Sequence, residues 1–250
     1  LLFPKIGKIM INVLIPMASA GPRFIDHGYK LPKPLIDVCG QPMVQRVIES
    51  LKSDKVDINF IFIALQEHLE DGLEEYLKNK GDIVVVENMT EGAPCTVLLA
   101  EKLINNDHEL VIANCDQVLQ WDFSSFITHS RSFDGCLVTF NSTNPHHSYV
   151  RLVKGEVTEV AEKIVISDKA SAGIYYFRKG SDYVSGANQM IKKNIRTNNE
   201  FYISPVYNEL LSHGKFSIFE IDVRNKHMLG TPEELRIFLD KIENEEIQID

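Results

Sequence analysis

Positive charge is in short supply in this sequence: 26 Lys and Arg side chains stand against 35 Asp and Glu, for a formal net charge of −9. That balance argues against general nucleic-acid binding and obliges any anionic ligand to be met by a few cations gathered locally. Cysteine is sparse too. Cys39, Cys95, Cys115 and Cys136 lie too far apart for a Cys-x-x-Cys pair, so neither a disulfide framework nor a zinc-ligand spacing is visible, and a reducing, cytoplasmic compartment is expected. No apolar run approaches the ~20 residues that span a bilayer, and no signal peptide is evident, so no membrane partner is expected. The eight histidines show no metal-ligand spacing, and His146-His147, adjacent in a loop, are expected to point apart without a functional role. Internal repeats, low-complexity tracts and Pro/Ser linkers are missing as well. The chain opens on Leu1, and residues 1–8 are expected to be a remnant or the end of a linker.

What is present is a 44% hydrophobic chain of 250 residues, enough to bury a substantial core. Its organising stretch runs from Ile15 to Leu35. An apolar run (Ile11, Val13, Leu14, Ile15, Met17) reads as a buried strand, and the small residues Ala18, Ser19, Ala20 and Gly21 allow a close backbone turn after it. Pro22 suits a first helical turn; a positive φ at Ser19 would carry a strain cost. Arg23 and Lys33 follow, with Leu31-Pro-Lys-Pro-Leu35 closing the stretch. A small-residue loop leaving a strand presents backbone N–H groups to an anion, and nearby cations neutralise it. The same residues also suit an ordinary strand–loop–helix with surface cations.

Taken in order, Ile11–Met17 is expected as a central parallel strand, and Gly40-Gln-Pro-Met opens a helix to about Leu51 with Met43, Val47, Ile48 and Leu51 on one face. Ile58–Ala64, Ile83–Val86 and Leu110–Ala113 read as further buried strands. Helices over His68–Asn79, closed by Gly81 at a C′ position, and over Pro94–Leu103 separate them. This alternation predicts an α/β fold with a doubly wound, mostly parallel sheet whose ligands gather at the carboxyl ends of its strands. Arg23, Lys33, Glu87 and Asp116 all fall just after such ends. Beyond Phe123 the rhythm turns mixed and β-rich: Gly135–Phe140, Tyr149–Val153, a hairpin turn at Lys154-Gly155-Glu156 into Val157–Ala161, and Ser171–Phe177. A helix over Ser181–Lys193 with Ser181 as N-cap follows. A compact aromatic segment over Asn199–Leu211 comes next, with a short helix from Ser204, then a strand over Lys215–Ile221 and a final helix capped by Thr231. One domain over about 9–245 is expected, its second half (about 123–245) folded against the first (about 9–122).

Asp116 ends the apolar strand Val-Ile-Ala-Asn-Cys-Asp. A carboxylate there can hold Mg²⁺, which keeps several waters and takes phosphate oxygens as further ligands; a turn or capping Asp is the other reading. The segments Met-Ala-Ser-Ala-Gly-Pro-Arg-Phe and Pro-Lys-Pro-Leu-Ile-Asp-Val together resemble the signature of the sugar-phosphate nucleotidyltransferases, with Ser19 and Pro22 standing where many members have Gly and Ser or Thr. The resemblance implies that the loop (Ala18, Ser19, Ala20, Gly21), Arg23 and Lys33 hold a nucleoside triphosphate, and that Asp116 is a metal ligand. Glu162-Lys163, in Val-Ala-Glu-Lys, resembles the family pair whose Glu binds sugar hydroxyls and whose Lys binds the sugar phosphate; alone it is equally a solvated charge pair. Ser171-Ala-Gly173-Ile-Tyr resembles the strand that lines the sugar pocket. Glu87 to Gly92 resembles the base-recognition loop. A carboxylate at Glu87 only accepts hydrogen bonds, which favours GTP or CTP over UTP or dTTP, unless Glu87 is simply a solvated loop residue.

Met228-Leu-Gly230-Thr-Pro232 resembles the family's Gly-Thr-Pro element, but Met228 stands where a second metal-binding Asp is common, and Asp222 or His227 is left as a substitute. The implied reaction joins an NTP and a sugar 1-phosphate into an NDP-sugar and pyrophosphate with Mg²⁺, for surface-glycan precursor synthesis. Lys163 would bring in the attacking phosphate, and Arg23 and Lys33 would hold the triphosphate. A cytidylyltransferase for a non-sugar phosphate, a GT-A-like glycosyltransferase and a non-catalytic nucleotide-binding domain are the alternatives. A homo-oligomer or a fused partner domain stays open.

Overall fold

The computed structural model describes residues 10–249; the expected linker over residues 1–8 lies outside those described. The first half of the chain builds four parallel strands. Strand β1 (Met10–Pro16) lies between β2 (Asp57–Leu65) and β4 (Leu110–Ala113), with β3 (Asp82–Val86) beyond β2. Their side chains alternate between two cores. Ile11, Val13 and Ile15 join Phe60, Phe62 and Ala64 on one face, while Leu14 joins Ile61, Ile63 and Leu65 on the other. Burial on both faces is why these strands read as continuous apolar runs.

Helices cover both faces, as a doubly wound sheet requires. Helix α1 (Met43–Ser50) packs Val44, Val47 and Ile48 into the first core, and α2 (Ala93–Leu98) sends Val97 into the second. Helix α3 (Phe123–Ser130) returns to the first face through Phe126 and Ile127, and α4 (Gly180–Lys192) to the second through Tyr183, Val184 and Ala187.

The second half extends the same sheet through antiparallel pairings, except for its last strand, which runs parallel to its neighbour. After a short strand β5 (Gln117–Leu119) come β6 (Gly135–Asn141), the hairpin β7 (Ser148–Val153) and β8 (Glu156–Glu162), the long β9 (Lys169–Phe177) and β10 (Phe216–Glu220). The far end of β9 pairs with β4 and joins the two halves. Its pairing with β6 shifts register between Ser171 and Tyr175, and Gly173 sits inside that bulge at φ 72. A Cβ on Gly173 would stand 2.1 Å from Asn114 Nδ2, so both the conformation and the close approach demand glycine. A second small sheet pairs β5 with β11 (Lys226–Met228), ahead of α5 (Pro232–Glu243). Thr231 caps α5 as expected, its hydroxyl accepting from Glu234 N at 3.1 Å.

Several local expectations are corrected. The helix over His68–Asn79 is broken: Asp71 and Gly72 leave helical φ/ψ, with Gly72 at φ 103, and the last regular turn ends at Leu77. Gly81 is not a left-handed cap, since its φ is not positive; it is needed because a Cβ there would lie 2.2 Å from the Phe60 carbonyl oxygen. The helix from Pro94 to Leu103 divides into Ala93–Leu98 and Glu101–Ile104. Helix α4 starts at Gly180 with Lys179 as N-cap and no side-chain cap, so Ser181 is its second residue. Gly180 fits because a Cβ would meet the Ile104 carbonyl oxygen at 1.9 Å.

Candidate active site

Two clefts open at the carboxyl ends of the parallel strands and meet at Ala93 and Asn114, which line both. The first, about 390 Å³, runs along Ala18, Ser19, Thr90, Gly92, Cys115 and Asp116. The second, about 310 Å³, is bounded by Gln117, Ser148, Glu162, Lys163, Gly173 and Tyr202, among others. Asn114 donates its backbone N–H to the Gly173 carbonyl at 3.0 Å, so the β9 bulge and the end of β4 fix the wall between them.

In the first cleft the turn after β1 takes its left-handed residue at Gly21, φ 62, directly before the short helix Pro22–Asp26. Ser19 is not at positive φ, so no strain arises there. Lys33, from the following loop, lines neither cleft itself but reaches the first through Asp116, its Nζ donating to Asp116 Oδ2 at 2.7 Å. Burial opposes the Lys33 ammonium, and the charge and hydrogen bond of Asp116, with Glu234 beyond it, outweigh that cost, leaving the pKa above its ordinary value. Burial pushes the Cys115 thiol up to about 12. It is therefore neutral at pH 7, and Asp116 is the anion that holds Lys33 charged. Ala20 and Gly21 belong to the same turn without lining the cleft. Arg23 is exposed on a helix that buries Phe24, and Glu87 is exposed too; neither lines either cleft. The loop after β3 reaches the cleft instead through Met89, Thr90 and Gly92. Gly92 is required, because a Cβ would lie 2.3 Å from the Phe201 carbonyl oxygen.

In the second cleft Glu162 is buried and accepts from Ser148 Oγ, and burial raises its pKa. Lys163 turns into the left-handed region, φ 57, a conformation uncommon away from glycine. Its Nζ donates to Tyr202 Oη at 2.5 Å and lies 4.5 Å from that ring's centroid. The hydrogen bond to Tyr202 raises the Lys163 pKa. His146 and His147, expected to point apart, both line this cleft.

Met228 lines the second cleft, and neither proposed substitute does. Asp222 accepts from Arg224 N and Nε at 2.9 Å each. His227 is buried with its ring 5.2 Å from Phe238. The acid that does approach Asp116 is Glu234, from the first turn of α5. Asp116 Oδ2 and Glu234 Oε2 each lie 3.1 Å from the point where a Cβ on Gly230 would sit. Lys226 is the other unforeseen charge. It lines the second cleft with no carboxylate within ion-pair distance among the described residues, its Nζ 2.6 Å from Met228 Sδ. Burial pushes its pKa down to about 8. Asn114, Gln117, Ser148 and Tyr202 were likewise not singled out; only the polar ending of the Leu110–Ala113 strand and the aromatic segment around Tyr202 hinted at them.

A parallel α/β half joined edge to edge with an antiparallel half, with a lysine–carboxylate pair at the strand ends, defines an open-sheet protein that binds ligands at its carboxyl edge. The model of the family described as nucleotidyl transferase matches residues 17–216, and the chain belongs to that family. It is 23% identical over 180 residues to the mannose-1-phosphate guanylyltransferase catalytic subunit beta of Xenopus tropicalis, covering 67% of this chain and 49% of that protein. It is 26% identical over 174 residues to the bifunctional protein GlmU of Methanocaldococcus jannaschii, covering 68% of this chain and 40% of that one. The chain thus spans about half the length of the curated relatives it matches. Among solved structures, the nucleoside-diphosphate-sugar pyrophosphorylase of Vibrio cholerae RC9 superposes with a TM-score of 0.79 at 25% identity, covering 91% of this chain and 99% of that one. The inositol-1-phosphate CTP transferase of T. maritima shares the fold at a TM-score of 0.69 and 16% identity, over 94% and 97% of the two chains.

Proposed function

We propose that the protein transfers a nucleotidyl group from an NTP to a sugar 1-phosphate, giving an NDP-sugar and pyrophosphate. The observation that carries this is the Lys33–Asp116 pair, 2.7 Å apart, where a cleft edged by a small-residue turn meets a second cleft edged by Glu162 and Lys163. The first cleft takes the triphosphate and the second the sugar phosphate. A phosphate oxygen of the acceptor attacks the α-phosphorus in line, the new P–O bond forms, and the α–β bridging bond breaks to release pyrophosphate. A phosphate dianion is already a competent nucleophile, so positioning and charge neutralisation supply the catalysis.

Lys33 neutralises charge at the α-phosphoryl group, and Lys163, turned towards the second cleft, orients the acceptor phosphate. Arg23 reaches the β- and γ-phosphates only if its exposed side chain swings over the turn. Among the described residues no group of three His, Cys, Asp or Glu side chains can hold a metal. A single carboxylate completed by substrate phosphates still fits the habit of Mg²⁺, and Asp116, with Glu234 nearby, is the residue to hold it. Bound there, Mg²⁺ would offset the repulsion between the two phosphates.

GTP is the donor favoured here, on the guanylyltransferase names of the relatives; CTP is next, and Glu87, which lines neither cleft, carries no weight in that choice. A cytoplasmic location and a role in supplying surface-glycan precursors rest on the kind of product such enzymes make. The test is pyrophosphate release with Mg²⁺ across the four ribonucleoside triphosphates and dTTP against a panel of sugar 1-phosphates. One donor–acceptor pair giving release supports the reading, and nucleotide binding without release from any pair overturns it.

A further inference from the structure

Gln117 is buried, only 2% exposed, yet among the described residues neither its Nε2 nor its Oε1 finds a hydrogen-bond partner. A buried amide without partners is costly, since its desolvation is not recovered. The other buried side chains with unpaired atoms are His68, Ser130 and Thr139, and none of them lines either cleft. Gln117 does line one: it borders the second cleft, beside Asn114, Glu162 and Ser171.

The local fold explains why. Gln117 is paired directly with Met228 across the small antiparallel sheet, and directly opposed residues share a face. Lys226, two residues before Met228, falls on that face too, and all three line the second cleft. The alternate residues Val118 and His227 turn the other way: Val118 joins the core built on α5, and His227 meets the Phe238 ring of that helix. Register therefore fixes the amide towards the cleft. A primary amide offers both donors and an acceptor, and the group that answers both is a hydroxyl. Lys163 and Lys226 supply the cations for a phosphate in the same cleft, which leaves the amide for the neutral part of the ligand.

We propose that Gln117 is a specificity-determining residue that hydrogen-bonds a ring hydroxyl of a monosaccharide phosphate in the second cleft. The inference rests on the assignment of that cleft to the sugar phosphate. It predicts that Gln117→Leu, similar in volume and free of buried polar atoms, keeps or raises the melting temperature while weakening the sugar phosphate.

Calorimetric titration of the whole chain with glucose, mannose and galactose 1-phosphates and their monodeoxy analogues tests this. The tightest hexose phosphate should bind about 10- to 100-fold more weakly to Q117L, the scale of one unpaired buried group. One monodeoxy analogue should bind wild type and Q117L equally, while nucleotide affinity stays the same. Equal binding of every hexose phosphate to both proteins overturns the proposal, as does a Q117L protein that loses stability and all ligands together. Gln117-dependent binding without pyrophosphate release supports it while refuting the transfer reaction. If wild type binds no hexose phosphate, both fall.

Discussion

Gly173→Ala puts a number on the wall between the two clefts. At φ 72 an alanine takes a left-handed conformation at a cost of about 1–2 kcal/mol. Its Cβ would also stand 2.1 Å from Asn114 Nδ2, closer than any real contact, and overpacking of that kind costs about 1–3 kcal/mol. The two together give roughly 2–5 kcal/mol, or a fall in melting temperature of roughly 4–20 °C at 2–4 °C per kcal/mol for a chain of this size. Gly155 is the control: it has φ 85 with nothing within 4 Å of its added Cβ, so Gly155→Ala should show the conformational cost alone. The contact half should vanish when Asn114 is truncated. Thermal unfolding of G173A, N114A and the double variant should give a favourable coupling of about 1–3 kcal/mol, with activity reduced wherever Asn114 is displaced or absent. A G173A protein as mild as G155A, or additive effects in the cycle, would refute the idea that the bulge and Asn114 lock each other.

Three further outcomes are expected. Lys226→Met should raise the melting temperature at pH 7, because the folded state then no longer holds a buried ammonium that the unfolded chain solvates freely. With its pKa pushed from 10.5 to about 8, the gain should be on the order of 3 kcal/mol below pH 8 and disappear as pH climbs through 10.5. Melts of both proteins from pH 6 to 11 check the sign. Thr231→Ala should cost about 1 kcal/mol through loss of the α5 cap, visible as a small shift of the thermal transition, with Thr231→Ser restoring it. Lys33→Met should keep the fold, since Asp116 retains partial solvent access, and lower kcat/KM by roughly 10²- to 10³-fold.

The parallel half was legible because its strands obey one simple rule: Val13 to Ile15 and Phe60 to Leu65 are apolar at every position, which a sheet buried on both faces explains. The Lys33–Asp116 meeting was legible as two residues at strand ends, though not as a contact, because 83 residues separate them. Local chemistry misled where a tertiary contact decides. Gly81 looks like a helix C′ residue and Ser181 like an N-cap, but a neighbouring backbone pressed against Gly81 and against Gly180 is what excludes a side chain at each. Gln117, Lys226 and Glu234 carry no motif; strand pairing with Lys226–Met228 and the Thr231 cap bring them to the site, and neither pairing partner nor cleft is written in sequence spacing. His146 and His147 were passed over because an extended dipeptide separates its side chains, whereas this loop turns over the cleft and brings both to its edge.

The measurement closest to the central claim is pyrophosphate release with Mg²⁺ by wild type, Lys33→Ala and Asp116→Asn, run side by side with the donor–acceptor pair that the substrate panel identifies. If the pair is the centre of transfer, wild type releases pyrophosphate in step with NDP-sugar, and both variants remain folded while losing roughly 10²-fold or more in kcat/KM. Near-wild-type turnover in either folded variant would contradict the account.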